Sequence, residues 1–519
     1  MNLTTDPWIP IIWESGAPDK VSLRDAFLRG HEIRDLAVRP HERIALMRLL
    51  ICVAQAALDG PKDHAEWQTC HERLPQVAAD YLGQWRHAFE LFGDGQRFLQ
   101  VTDVRSISAR GDDQGGDVAK LDLDLAAGNM PTLFDNAAGG TRAFGPDRIA
   151  LTLLTFQSFS PGGLIGNVAW AGNAMGRSSN HAPCIVKSMV HTYRKGGDLQ
   201  ETVHGNLLHK EQLARAGVVW GLPVWVRPPV SIDDASAVQN ACATYLGRLV
   251  PLARAVCLES GGTRMVMGNA LTYSPDWREP AATVVVRDRD GVPERVLVSG
   301  SLEKSIWREL HSIATLSTFA KDGLGGPWTL ANGDAVERGC DIWVGALAAN
   351  KSKLLDTIES VFHLPAPIFA DVGQRLYQNG IQQAEQGASR LRRAVSAYHR
   401  EYKDDLDRFE FRKRGNLVKQ KATTHYWTAV EQHVSDLLVI VENPALLGPD
   451  LAHPTWGTTE WGQGIFRAVR AAYDLACPHQ TPRQMKAHAL GLRALFAKSA
   501  SHAEADANTD TKADTDTDQ

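Results

Sequence analysis

The stretch Pro365-Ala366-Pro367 divides this 519-residue chain into two parts of different character. After it, glycines become few and apolar residues recur with helical spacing. A Pro-x-Pro segment suits a linker, because proline cannot continue a helix and restricts the residue before it. We therefore predict a boundary near residue 370, between a mixed α/β domain over residues 1–370 and a helical domain over residues 371–502.

The helical part shows one apolar face that ends before Pro444. Its members, spaced by three or four residues, are Tyr426, Val430, Val434, Leu437, Leu438 and Val441. Thr481-Pro482-Arg483-Gln484 is a capping box with proline at the first helical position, which predicts a helix to about residue 498. Helices near 373–403 and 457–476 bring the count to four. The sequence therefore predicts an antiparallel four-helix bundle.

The part before the boundary combines helices with strands. Residues 43–57 (RIALMRLLICVAQAA) are apolar around most of a helix, so we expect a core helix there. Apolar runs at 283–286 and 295–298 flank the turn signal Asp290-Gly291, which predicts a β-hairpin. The predicted fold class is α+β.

The net negative charge of the chain comes from its C-terminal end. Six of the 60 acidic residues and one of the 55 basic residues follow Ala503, which leaves 54 of each sign in the rest of the chain. The tail, residues 503–519, is too polar to pack, so we expect it to be disordered. Because the rest of the chain has no net charge, it is unlike proteins that cover nucleic acid through a large overall positive charge. Basic runs at 390–393 and 412–421 suit a solvated helix face, a nucleic-acid backbone or an acidic partner.

Cysteine usage and hydropathy exclude several classes of protein. The seven cysteines are scattered without a C-x-x-C pair, which predicts neither a disulfide framework nor a zinc site. We expect no metal and no cofactor. The longest apolar runs, such as residues 437–441, are far shorter than the roughly 20 residues of a membrane span, and the N-terminus lacks a basic signal region. We expect a cytoplasmic protein with no membrane contact.

A glycine loop, SPGGLIG at residues 160–166, is the strongest candidate binding feature. Bare glycines let backbone N–H groups approach a phosphate or a nucleic-acid groove, although they also serve simple turns. The sequence has no G-x-S-x-G, Walker A, H-E-x-x-H or dinucleotide motif, so we expect no catalysis. Two other classes stay open: an acyl- or phosphoryl-transfer enzyme with the loop as an anion cradle, and a structural scaffold.

Six segments occur in the order seen in one protein family. They are Trp8-Ile9-Pro10, residues 43–57, Arg97-Phe98-Leu99-Gln100, the glycine loop, residues 196–208 and residues 344–353. With these segments the chain resembles the large subunit (CasA) of the type I-E CRISPR Cascade surveillance complex, over its whole length up to the acidic tail.

The resemblance implies a noncatalytic subunit that recognises the protospacer-adjacent motif in double-stranded DNA. It also implies that the subunit starts strand separation, so that the guide RNA can pair with the target. The implied partners are target DNA, the guide RNA, the other Cascade subunits and a helicase-nuclease. Some relatives carry a cysteine cluster in mid-chain that this sequence lacks, so the resemblance implies no metal.

By the family pattern, Gly162 and Gly163 approach the minor groove of the motif, and Arg264 is the counterpart of a basic residue that enters the same groove. The minor groove presents a degenerate pattern of hydrogen-bond acceptors. A protein that recognises DNA from this groove therefore accepts several related motifs.

The wedge that enters the duplex falls at Lys351, flanked by Asn350 and Ser352. The family's best-known wedge is a glutamine, and lysine replaces the amide's donor and acceptor with a charge that attracts phosphate. A further loop, residues 132–136, matches the family's docking loop for the 5′ end of the guide RNA, with Phe134 and Asn136 at the matching positions.

Overall fold

The computed structural model describes residues 1–107, 116–125, 143–319, 323–333, 335–350, 353–402, 408–449 and 454–497. The chain divides into two compact units, Met1–Phe369 and Ala370–Gln519. The first unit combines helices with small antiparallel sheets, and the described residues of the second are mainly helical. The predicted α+β fold class is confirmed.

The first unit has eleven helices among its described residues. They are α1 (Leu23–Leu28), α2 (Pro40–Leu58), α3 (His64–Thr69), α4 (Leu74–Gln84), α5 (Pro146–Phe159), α6 (Leu199–Gly205), α7 (Lys210–Arg215), α8 (Ala235–Ala243), α9 (Tyr245–Leu249), α10 (Leu310–Ile313) and α11 (Ala335–Arg338).

The strands of this unit are short, apart from the last two. They are β1 (Ile9–Trp13), β2 (Pro18–Val21), β3 (Ile33–Leu36), β4 (Val104–Ser106), β5 (Gly116–Asp117), β6 (Gly163–Leu164), β7 (Val168–Trp170), β8 (Asn173–Ala174), β9 (Ser178–Ser179), β10 (His191–Lys195), β11 (Arg254–Leu258), β12 (Arg264–Asn269), β13 (Val284–Arg289), β14 (Val292–Leu297), β15 (Cys340–Asn350) and β16 (Lys353–Leu364). The described strands form antiparallel sheets ordered β2-β1-β3, β4-β7-β8, β6-β9, β10-β15-β16, β11-β12-β5 and β13-β14.

Helix α2 lies at the centre of the core of this unit, as its apolar composition predicts. It is buried along most of its length and packs against α4, α5, α9 and β15. Among its buried residues, Arg48 donates to Oε2 of Glu279 at 2.8 Å and to the carbonyl of Leu249 at 2.9 Å. These bonds offset the cost of removing the two charges from water.

The predicted β-hairpin is confirmed as β13 and β14. Its two turn residues, Asp290 and Gly291, have φ angles of 56° and 83°. Two successive left-handed residues match the twist of the flanking strands, and Asp-Gly adopts this conformation readily.

The described residues of the second unit contain five helices. They are α12 (Asp371–Glu401), α13 (Arg408–Glu431), α14 (Val434–Glu442), α15 (Glu460–Ala476) and α16 (Pro482–Phe496). The expected count of four is therefore not confirmed. The predicted apolar face spans α13 and α14, but the backbone leaves the helix at His433, whose Nδ1 bonds Asp436 at 2.8 Å. Periodicity predicted the buried face and missed this break.

Candidate nucleic-acid interface

The glycine loop follows directly from α5 and forms one arm of a narrow antiparallel ribbon. Gly163 pairs with Ser179, and Leu164 pairs with Ser178. The N–H of Ile165 donates to the carbonyl of Arg177 at 2.9 Å. We call residues 160–166 and 177–181 the glycine ribbon.

Packing within the protein explains why this arm is rich in glycine. A Cβ atom on Gly162 would lie 2.9 Å from the carbonyl oxygen of Ser179, and one on Gly166 would lie 2.5 Å from that of Met267. Gly163 has a φ of 139°, which strains any residue with a side chain. The glycines are therefore required by the ribbon itself, whatever it binds.

Arg254 holds the two arms of the ribbon from inside the protein. Its buried guanidinium donates to the carbonyl of Pro161 at 2.9 Å and to that of Asn180 at 2.8 Å. Burial lowers the pKa of Arg254 to about 10, so the side chain stays charged near neutral pH. Both bonds come from Nη2, whose two N–H groups point in fixed directions within the planar guanidinium.

His181 supports the end of the ribbon nearest α5. Its Nδ1 accepts the backbone N–H of Gly162 at 3.0 Å. An accepting Nδ1 carries no proton, so a neutral ring has its proton on Nε2. Burial and the nearby charge of Arg254 lower the pKa of His181 below its ordinary value, which favours this neutral form.

Leu164 and Arg177 have the largest exposed side chains of the ribbon. Leu164 is 87% exposed, the largest value among the large hydrophobic residues that the structure describes. Arg177, on the opposite arm, is exposed as well. The Oγ of Ser179 donates to the carbonyl of Gly163 at 3.0 Å, which fixes the backbone beside Leu164.

Strand β12 runs beside the ribbon, but Arg264 lies at its far end. Gly166 passes Met267, and Asn269 donates to the carbonyl of Ser178 at 3.4 Å. Arg264 starts the strand three residues before Met267, about 10 Å away along the chain. Arg177 is thus built into the ribbon, whereas Arg264 belongs to the neighbouring strand.

The hairpin of β15 and β16 carries the predicted wedge. Asn350 pairs with Lys353 at the end of the two strands, and both residues are exposed. Lys351 and Ser352 stand between them in the sequence and lie outside the described residues, as do Phe134 and Asn136.

One short segment, residues 181–188, contacts both the ribbon and the hairpin. At its start, His181 supports Gly162. At its end, the Oγ of Ser188 accepts the N–H of Ala349 at 2.9 Å and donates to its carbonyl at 3.2 Å. Seven residues span at most about 25 Å, so the two features lie within reach of one another. The φ angles of Lys187 and Ser188, 53° and 52°, show that this segment is tightly bent.

A protein-family model identifies the family of the chain. The model of the CRISPR-associated protein Cse1 matches residues 2–472. The chain belongs to the Cse1 family. CasA/Cse1 of Thermus thermophilus is 27% identical over 435 residues, which cover 76% of this chain and 78% of that protein.

Solved structures agree with this Cse1-family membership. Cse1 from Acidimicrobium ferrooxidans has a TM-score of 0.73 at 18% identity, over 95% of this chain and 96% of that one. A chain of a CRISPR RNA-guided surveillance complex has a TM-score of 0.68 at 17% identity, over 96% and 99%. These matches establish a shared fold, and the family resemblance drawn from the sequence is confirmed.

The Cse1-family chain brings together part of the predicted site. Gly162, Gly163 and the end of the hairpin at Asn350 are linked through residues 181–188, whereas Arg264 lies further along β12. Sequence analysis missed the supporting residues, which are His181, Arg254, Arg177, Leu164 and Ser188. Apart from Leu164, which lies within the glycine loop, no local motif marks them, because their roles arise from pairing between distant segments.

The described part of this Cse1-family chain shows no metal site and no membrane span. Among those residues, no group of three His, Cys, Asp or Glu side chains is placed to hold a metal ion. The helices searched there also lack the combination of length and hydropathy that crossing a bilayer requires.

Proposed function

We propose that this chain is the noncatalytic DNA-recognition subunit of an RNA-guided CRISPR interference complex. It reads the protospacer-adjacent motif from the minor groove, opens the adjacent duplex and supports recruitment of a helicase-nuclease. The observation that carries the proposal is the physical link between the ribbon and the hairpin through residues 181–188. A span of at most about 25 Å corresponds to roughly seven base pairs, so both features can act on one short stretch of DNA.

The expected partners follow from the family. A related chain of the same fold belongs to a CRISPR RNA-guided surveillance complex, which supports binding to the other subunits and to the guide RNA. In this proposal, Phe134 and Asn136 dock the 5′ end of that RNA. The complex acts in the cytoplasm, and the chain itself needs no cofactor.

Minor-groove reading relies on the exposed part of the ribbon. The groove is only about 6 Å wide, so a backbone of glycines fits where larger side chains collide. The N–H of Gly162 already donates to His181, which leaves the groove contact to Gly163 and Leu164. A cation at the edge adds attraction to phosphate, and both Arg264 and the closer Arg177 are candidates for this role.

Strand opening is assigned to the end of the hairpin. Asn350, Lys351 and Ser352 form the proposed wedge, supported by β15 and by the bonds of Ser188 to Ala349. Unstacking the first step costs a few kcal/mol, roughly, whereas the later exchange of DNA pairing for RNA pairing is nearly balanced. The wedge therefore matters most at initiation.

The proposal is tested by duplex binding to a guide-loaded complex assembled with and without this chain. Targets keep or lose the adjacent motif. We expect motif-dependent binding only with the chain present, and we expect Lys351→Ala to slow strand opening. Lys353→Ala, at the neighbouring exposed position, is the matched control. Binding that is indifferent to both chain and motif would overturn the proposal.

A structural scaffold is the second candidate, and one observation favours it. The glycines of the ribbon are accounted for by contacts with Ser179 and Met267, without any ligand. A scaffold predicts that the complex assembles with this chain but binds targets with and without the motif equally well. The same experiment therefore separates the two functions.

A further inference from the structure

We infer that Leu164 is an apolar wedge that enters the minor groove at the motif and partly unstacks a base step. The inference rests on the proposed function, since it assumes that the glycine ribbon contacts duplex DNA. In addition to the hairpin, the glycine ribbon would then also help to open the duplex, at the motif that it recognises.

The first support is the exposure of this side chain in a fixed backbone. Leu164 is 87% exposed, yet its neighbours are bonded on both sides. Gly163 accepts from the Oγ of Ser179, and Ile165 donates to the carbonyl of Arg177. The ribbon therefore holds the leucine in solvent.

The second support is the shape of the ribbon around Leu164. Gly162, Gly163 and Gly166 have no side chains, so the leucine projects from a slender backbone. Proteins that bend DNA from the minor groove insert leucine, isoleucine, phenylalanine or methionine between base steps in this way. A loop that recognised base edges by hydrogen bonds would have an amide or a guanidinium side chain at this position instead.

The third support is the charge beside Leu164. Arg177 is exposed on the opposite arm, one pair along from Leu164. Successive strand residues face opposite sides, so Arg177 projects from the other face of the ribbon and can reach a phosphate of the groove wall while Leu164 enters the groove. The insertion also predicts that flexible pyrimidine–purine steps are preferred next to the motif, because they unstack most easily.

The test uses the guide-loaded complex and a fluorescent adenine analogue at the base step beside the motif. We expect Leu164→Ala to weaken binding to a fully paired target about ten- to a hundredfold, the range for loss of a buried leucine side chain. The fluorescence rise on binding should fall as well. Leu302→Ala, which truncates another exposed leucine (56% exposed) of the same unit, is the matched control.

A target with a mismatch at the same step separates the possible outcomes. Leu164→Ala should bind this pre-opened target nearly as well as the unaltered chain does, because the step no longer has to be unstacked. Equal binding of the variant and the unaltered chain to the paired target, with motif dependence intact, would refute the wedge alone. Loss of motif dependence in the unaltered chain would refute the proposed function itself.

Discussion

Nδ1 of His181 accepts the backbone N–H of Gly162 at 3.0 Å, and this bond ties the first arm of the glycine ribbon to residues 181–188. The same segment bonds Ala349 in the hairpin through Ser188. Protonation of the His181 imidazole therefore acts directly on the ribbon, at one end of the segment that joins ribbon and hairpin.

The first prediction is that motif-dependent binding weakens in acid. Folding lowers the pKa of His181 from its ordinary 6.5, so the ribbon arrangement is fully stable above 6.5 and loses stability as the pH falls below it. Protonated Nδ1 cannot accept from Gly162. Binding measured from pH 7.5 to 5.5 should fall for the unaltered chain and much less for His181→Asn, whose amide oxygen accepts at every pH in this range.

The second prediction separates the glycines from the exposed side chains. Gly162→Ala should destabilise the ribbon by about 1–3 kcal/mol, because the new Cβ meets the carbonyl of Ser179. Arg177→Ala should leave the ribbon intact. Hydrogen exchange of residues 160–181 measures the difference, and equal protection in the two variants would contradict the packing argument.

The third prediction concerns the cation that contacts phosphate. Arg177→Ala should reduce the slope of the logarithm of the binding constant against the logarithm of salt concentration by about one, without changing the motif preference. Arg264→Ala is the companion variant, at the far end of β12. A larger effect from Arg264 than from Arg177 would show that the neighbouring strand, and not the ribbon, supplies the contact.

The fourth prediction is that the buried Arg254 stabilises the ribbon from inside the protein. Arg254→Met should destabilise the chain by about 2–4 kcal/mol, because the carbonyls of Pro161 and Asn180 lose their donors. Arg254→Lys keeps the charge but lacks the fork, so it should restore stability only in part. Thermal unfolding of both variants, beside motif binding, provides the measurement.

The fifth prediction concerns the buried ion pair of the core. Glu279→Gln should destabilise the first unit by about 3–5 kcal/mol, since it leaves the charge of Arg48 buried without its counterion. Burial raises the pKa of Glu279, but the charges of Arg48 and Arg248 lower it below its ordinary value, so this contribution is present above the ordinary carboxyl pKa and is lost as the pH falls through the lowered one. Unfolding by urea at pH 7 measures the effect, and a change below 1 kcal/mol, roughly a surface value, would contradict it.

Local rules predicted much of the fold. Helix α2, the Asp290-Gly291 hairpin and the capping box of α16 were all predicted correctly, because each depends on residues within a few positions of one another. The break at His433 was missed, because its apolar face continues unchanged across it. The domain division and the roles of the site residues stay predictions.

By itself, the sequence determined the α+β class, the family and the position of the glycine loop, since periodicity, turn chemistry and the order of segments can be read along the chain. Only the tertiary structure decided what the glycines contact, which cation lies on the ribbon and that one segment joins ribbon to hairpin. Arg254 lies more than 70 residues from the carbonyls that it bridges. Such contacts depend on long-range pairing and burial, which no local pattern encodes.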